Sequence, residues 1–133
     1  MAYRVPNINP VDVGGRVAIG VSIPFNNAAI FNQTYSTTTQ VRSNIINYVL
    51  TRKGERVLNP DFGLGLEQYL FDDINSTTLN SIQNLITNDL TSLFPTITLQ
   101  SVTATPDYDN NAINIKIRYY TIEGNTDEIN VSI

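Results

Sequence analysis

Late in this chain the hydrophobic period changes, and that change constrains the fold more than any other feature. In the two stretches from Val41 to Val49 and from Leu79 to Leu93 apolar residues recur at helical spacing, and from Ile97 onward they alternate. Ile113, Ile115, Ile117 and Tyr119 fall on one side of an extended chain, and Ile129, Val131 and Ile133 repeat the pattern. A period of two buries one face of a strand and leaves the other polar. Ile97, Leu99 and Val102 predict a strand before these two. Pro106-Asp107-Tyr108-Asp109-Asn110-Asn111 and Glu123-Gly124-Asn125 predict the turns between the three.

The upstream half predicts helices. Val41, Ile45, Tyr48 and Val49 form one apolar stripe, Thr37 and Gln40 form a candidate capping box, and Gly54 is the expected stop. Arg52 and Lys53 are expected at the helix end, where positive charge suits the dipole. Leu64 to Phe71 predicts a short helix with Leu66, Leu70 and Phe71 inward. A second long helix begins at Asn75 or Ser76, buries Leu79, Ile82, Leu85, Ile86, Leu90 and Leu93, and stops before Pro95. Asp72 and Asp73 place negative charge near its start. Val17, Ile19, Val21 and Ile23 alternate, which predicts a strand over 16–24 after an extended arm over 1–15. The sum is an α+β fold: two long helices and one short helix packed on a small, mostly antiparallel sheet, with an extended N-terminal arm and strand. Residues 1–35 are expected to form the arm and strand, and residues 36–133 a single domain.

Composition narrows function mostly by exclusion. A chain of 133 residues buries roughly two-thirds of its unfolded surface, enough for one core. Charged residues make up only 15%, so the polar surface rests on Asn, Thr, Ser and Gln. Such a surface repels its neighbours weakly, which fits either a compositional bias of the source or a protein largely covered by partners. The net charge is −4 and the one basic cluster is Arg52, Lys53 and Arg56, too few charges for a nucleic-acid face. No cysteine and no histidine occur, so thiol chemistry, the commonest neutral general base and the commonest transition-metal ligand are all missing. No apolar run is long enough to span a bilayer and the first ten residues do not read as a secretory signal, so the expectation is a protein assembled in a cytosol without membrane insertion.

The acids Glu55, Asp61, Glu67, Asp72 and Asp73 leave one enzymatic option, a carboxylate-dependent glycosidase. Acids this close in sequence are ordinary, and no enzyme, cofactor or metal is expected. Gly63-Leu64-Gly65 lacks the remaining residues of a phosphate loop, so positive φ or close backbone approach is its expected purpose. Asp107 to Arg118 fails the calcium-loop pattern, with Ala112 where glycine and Arg118 where glutamate belong.

The stretch Thr51-Arg52-Lys53-Gly54-Glu55-Arg56, through Pro60, Phe62, Gly63 and Leu66 to Leu70-Phe71, reads as a shaped connector that presents a surface, with Phe62 as one large anchor. It resembles the baseplate wedge and sheath-initiator family of contractile-tailed phages, some of whose members have carried a lysozyme label. Type VI secretion systems and phage-derived tail particles have counterparts. Thr51, Arg52, Gly54, Arg56, Pro60, Phe62, Gly63, Leu66, Leu70 and Phe71 carry the resemblance, which extends over about residues 38–133. The resemblance implies a virion protein of the tail baseplate, part of a sixfold arrangement around the tail tube and assembled in the host cytoplasm. Its implied partners are the tail sheath protein, baseplate wedge proteins and tube or hub proteins. Its implied wedge-facing residues are Arg52, Lys53, Arg56, Phe62 and Pro95. Ile113, Ile115, Ile117, Ile129, Val131 and Ile133 would set the register of strand pairing with the sheath, mostly while packing on the helices. The alternatives are a type VI secretion baseplate component and a peptidoglycan hydrolase. The family usually carries Glu-Pro-Arg where this chain has Phe94-Pro95-Thr96, so either the partner differs or that contact is apolar here. On residues alone the last strand is either an ordinary closing strand or an edge that accepts a strand from another chain.

Overall fold

The computed structural model describes residues 18–23, 33–69 and 71–133. The expected arm over 1–15, both ends of the expected strand over 16–24, and Leu70 lie outside the described residues.

Helix α1 spans Thr37–Leu50. Its stripe forms as the spacing requires: Ile45, Tyr48 and Val49 are buried and Val41 packs beside them. The capping box does not form. The N-cap is Ser36, without a side-chain bond, and Gln40 instead accepts from the Thr34 hydroxyl. Gln40 is drawn away by a strand the sequence did not announce, β2 (Gln33–Thr34), which pairs antiparallel with β1 (Gly20–Val21). These two-residue strands form a separate small sheet, far shorter than the expected strand over 16–24. The helix closes one residue before the basic pair, with the Thr51 N–H donating to the Asn47 carbonyl at 3.0 Å. Arg52 and Lys53 therefore lie beyond the last turn, which carries no basic residue.

A single 3-10 turn, Leu66–Tyr69, replaces the expected short α-helix. A 3-10 turn repeats every three residues and seldom runs longer, so its inward positions differ from those of an α-helix. Leu64 and Leu66 are buried and Tyr69 packs against the core, whereas Phe71 is 94% exposed. The inward placement of Phe71 is thus corrected.

Helix α2 spans Ser76–Leu93, and its N-cap Asn75 accepts from the Thr78 N–H at 2.9 Å. Ile82, Ile86 and Leu90 are fully buried, Leu79 and Leu85 pack beside them, and Leu93 is half exposed. Leu93 is the last residue of the helix. The first turn carries no acid, and Asp73 contributes its backbone carbonyl instead, accepting from the Thr78 hydroxyl at 3.0 Å.

Strands β3 (Ile97–Asp107), β4 (Ala112–Thr121) and β5 (Thr126–Ser132) form one antiparallel sheet in that order. A bulge between Leu99 and Ser101 shifts the β3 register by one residue. That shift keeps Val102 and Ala104 on the same face as Ile97 and Leu99, which strict alternation would forbid. Both helices pack on this face, where Ile113, Ile115, Ile117, Tyr119, Ile129 and Val131 meet them.

Candidate partner interface

Two exposed features meet at the end of α1: the connector over 51–65 and the outer edge of β5. The connector folds back on itself, with the Gly54 N–H donating to the Pro60 carbonyl at 2.7 Å and Phe62 N–H to the Asn59 carbonyl at 3.1 Å. Gly63, at φ +115°, presses its backbone so close to α1 that an added Cβ would lie 2.5 Å from the Thr51 carbonyl. Gly63 and Gly65 both hold positive φ, and Gly63 also makes a close backbone approach, the two purposes expected of them.

Phe62 anchors this fold-back. Its ring stands edge-on to Tyr48 at 5.1 Å, and the Arg56 guanidinium covers its other side at 3.9 Å from the centroid. Such geometry adds to simple burial. The Tyr48 ring also meets Phe94 at 6.1 Å, so a row of aromatics joins the connector to the turn that holds Pro95. Phe94 turns onto this row, while Pro95 and Thr96 stay exposed. The Tyr48 hydroxyl donates to Asp89 at 3.0 Å, and burial, helped by that bond and the Asp89 charge, pushes its pKa up to about 12.

Arg52 pairs with Glu67 at 3.0 Å, and its backbone N–H donates to Glu55 at 3.0 Å. The Lys53 stem lies across Gly65, where an added Cβ would meet it at 3.3 Å. Beyond them Val57 is 94% and Leu58 fully exposed at the tip of the connector. These two apolar residues escaped the sequence reading, because a connector without periodicity gives no signal of which side chains face out.

The strand residues are placed differently. Ile113, Ile115, Ile117, Ile129 and Val131 turn their side chains into the core, and Ile133 is half-buried. Their backbone groups serve the β4–β5 pair, so neither side chain nor backbone of these residues faces a partner. Ile113 and Ile133 exchange both backbone bonds, at 2.8 and 3.1 Å, and Thr121 N–H donates to the Asn125 carbonyl at 2.9 Å. Bonded pairs recur at every second residue, so Asp127, Ile129, Val131 and Ile133 direct their backbone groups to β4. Thr126, Glu128, Asn130 and Ser132 direct theirs outward. A groove lined by Val49, Leu50, Leu66 and Ile133, with Arg52 and Glu67 at its rim, joins this edge to the connector.

Contacts between α1 and the β4–β5 hairpin were also invisible in the sequence. Arg42 donates to Asp127 Oδ1 at 2.8 Å and to the Glu128 carbonyl at 3.1 Å. Thr37 and Thr38 donate to the Glu123 carboxylate at 3.1 and 3.0 Å. About 85 residues separate the partners, so no local pattern signals them. On the outer face of the sheet Arg118 holds Glu128 at 2.6 Å, and chiefly through that bond keeps its carboxyl below the usual range. Burial and the Asp127 charge raise the Tyr119 phenol well above its ordinary value.

Among the described residues no acidic group has the arrangement of a metal site. No second Asp or Glu side chain among the described residues lines the groove beside Glu67, and Arg52 pairs with Glu67.

Comparison with known proteins agrees with this architecture. A solved structure from Geobacter sulfurreducens, described as a candidate tail lysozyme, is 32% identical, with a TM-score of 0.67 over 74% of this chain and 90% of that one. The lysozyme wording is that protein's description and says nothing of catalysis in this chain. The baseplate complex of a type VI secretion system contains a chain of the same fold, 16% identical, with a TM-score of 0.60 over 71% of this chain and 89% of that one. So does the anti-feeding prophage baseplate, at 18% identity and a TM-score of 0.55 over 82% of this chain and 77% of that one. The baseplate wedge protein gp25 of Enterobacteria phage T4 is 28% identical over 89 residues, 67% of each chain. The family profile described as baseplate wedge protein gp25 matches residues 36–126, and the chain belongs to that family.

Proposed function

We propose that this protein is a structural component of a contractile-tail baseplate that joins wedge proteins to the tail sheath and initiates sheath assembly by β-strand pairing at β5. The observation that carries the reading is the outer edge of β5. Asn130 and Ser132 direct backbone donors and acceptors away from β4, and among the described residues no third strand takes them. A free edge of this kind is a template for an added strand: backbone bonds supply affinity and side-chain alternation supplies register. The connector supplies the second surface, where Arg52, Lys53, Arg56 and the exposed Val57 and Leu58 face the wedge beside the Phe62 anchor and Pro95. The partners are the tail sheath protein, wedge proteins and the tube or hub, in a sixfold assembly. The 28% identity to the T4 protein favours a phage-type tail over the type VI apparatus.

Deleting residues 127–133 would be a poor test, because Ile129 and Val131 belong to the core. Asn130→Pro is better. Proline removes the outward N–H, and on an edge strand it is tolerated because that N–H serves no internal bond. The expected result is sheath nucleation, seen by electron microscopy, when the native chain meets its cognate sheath protein, and none with the folded Asn130→Pro variant. Equal nucleation by both, or none by the native chain with wedge proteins present, would sink the sheath role.

A further inference from the structure

The outer edge of β5 is not uniform. Near its start Glu128 directs both backbone groups outward, and both are already occupied: its N–H donates to Asp127 Oδ1 at 2.8 Å, and its carbonyl accepts from Arg42 at 3.1 Å. The same Arg42 nitrogen holds Asp127 Oδ1 at 2.8 Å, and Asp127 Oδ2 accepts from the Tyr119 hydroxyl at 3.0 Å. The block is therefore anchored in helix α1 and in the core side of β4. Further along, Asn130 and Ser132 are exposed, and among the described residues their outward backbone groups have no such cover.

We propose that Arg42 is a stop on the sheet edge: with Asp127 it seals Glu128, confines strand pairing to Asn130 and Ser132, and so selects the register of an added sheath strand. This inference rests on the strand-pairing reading above and names the positions that reading uses. The physical need for a stop comes from the period of a strand. A slip of one residue turns every side chain to the wrong face and is rejected by burial, but a slip of two keeps all faces correct. Alternation therefore cannot separate two registers that differ by two residues. An added strand that slid toward Glu128 would have to displace a charge-assisted bond from Arg42 and a backbone bond to Asp127. The occupant is an extended backbone segment, since outward N–H and C=O groups two residues apart on one edge fit a β-strand and no helix.

The free protein gives the first test. In amide hydrogen exchange followed by NMR, Glu128 is expected to exchange at least tenfold more slowly than Asn130 and Ser132. Arg42→Ala should leave its N–H bonded to Asp127 less firmly and speed Glu128 selectively. Equal exchange at the three positions in the native chain would overturn the stop. The second test uses the cognate sheath protein and single-cysteine variants Glu128→Cys, Asn130→Cys and Ser132→Cys, cross-linked in the nucleating complex. Cross-links are expected at Asn130 and Ser132 and not at Glu128, with Glu128 gained in the Arg42→Ala background. Cross-links at all three in the native background, or an unchanged pattern in Arg42→Ala, would overturn the stop while leaving strand pairing intact. Cross-links at none of the three would overturn strand pairing itself. Arg42→Lys, which keeps the charge near Asp127 with a single point donor, serves as the second variant should Arg42→Ala fold poorly, and the same gain at Glu128 is expected of it.

Discussion

The sheet and the connector both carry large apolar residues and treat them in opposite ways. Ile115, Ile117 and Ile129 are at most 1% exposed, while Val57, Leu58 and Phe71 are at least 94% exposed. In the sheet, pleating assigns each side chain to a face, and the helices cover one of those faces. The connector has no such period. Its path is set by a few specific contacts, namely the Phe62 anchor, the Gly63 approach and the Gly54–Pro60 bond, and residues between those contacts are left outside. Hydrophobicity in this protein stabilises the fold in one region and stays exposed in the other.

Substitutions can break that contrast. Ile117→Ala should lower the unfolding free energy by about 2–5 kcal/mol in urea titrations, since a fully buried side chain leaves a cavity. Gly63→Ala should come next, at above about 1 kcal/mol, because φ is +115° and the Thr51 carbonyl occupies the space of the new Cβ. Gly54→Ala, at φ +83° with open space around it, should cost less, and equal losses at the two glycines would contradict the close approach. Asn75→Ala removes the α2 cap and should cost about 1 kcal/mol. Val57→Ser with Leu58→Ser should move stability by less than about 0.5 kcal/mol yet weaken capture of the cognate wedge proteins. A large loss of stability there would show that the tip is packed and not presented.

Two pH limbs sharpen the same contrast, because the titrating groups tie the helices to each other and the sheet strands together. Tyr48, raised from 10.0 to about 12, favours its neutral form in the fold. Its contribution is complete below about pH 10 and is lost as pH rises through about 12, so Tyr48→Phe should flatten the alkaline limb of a pH–stability curve. Glu128 has a folded value below 4.5, so its contribution is present above that pH and fades as pH falls through the lowered value. Glu128→Gln should lose that contribution at neutral pH and so flatten the acid limb of the curve.

Much of this architecture was legible in local pattern. The helix stripes, the Asn75 cap, the strand alternation and the glycine approach all follow from residues near one another in the chain. What failed did so where a distant group intervened or a local geometry changed. Gln40 was taken from its capping role by Thr34, Phe71 follows a 3-10 turn and stays exposed, and Leu93 at the end of α2 is half exposed. The site divides along the same line. Phe62 as an anchor was readable from its flanking turn residues, whereas the exposed tip at Val57 and Leu58 was not, because a side chain's exposure in an irregular segment depends on what the rest of the molecule leaves uncovered.

Spacing along the chain was enough for the two long helices, for the three C-terminal strands and for the apolar face of each of those strands. Packing between elements decided which outward backbone groups of the last strand are covered. That answer depends on Arg42 reaching Asp127 and Glu128 from another element, and a contact across some 85 residues leaves no period in the sequence.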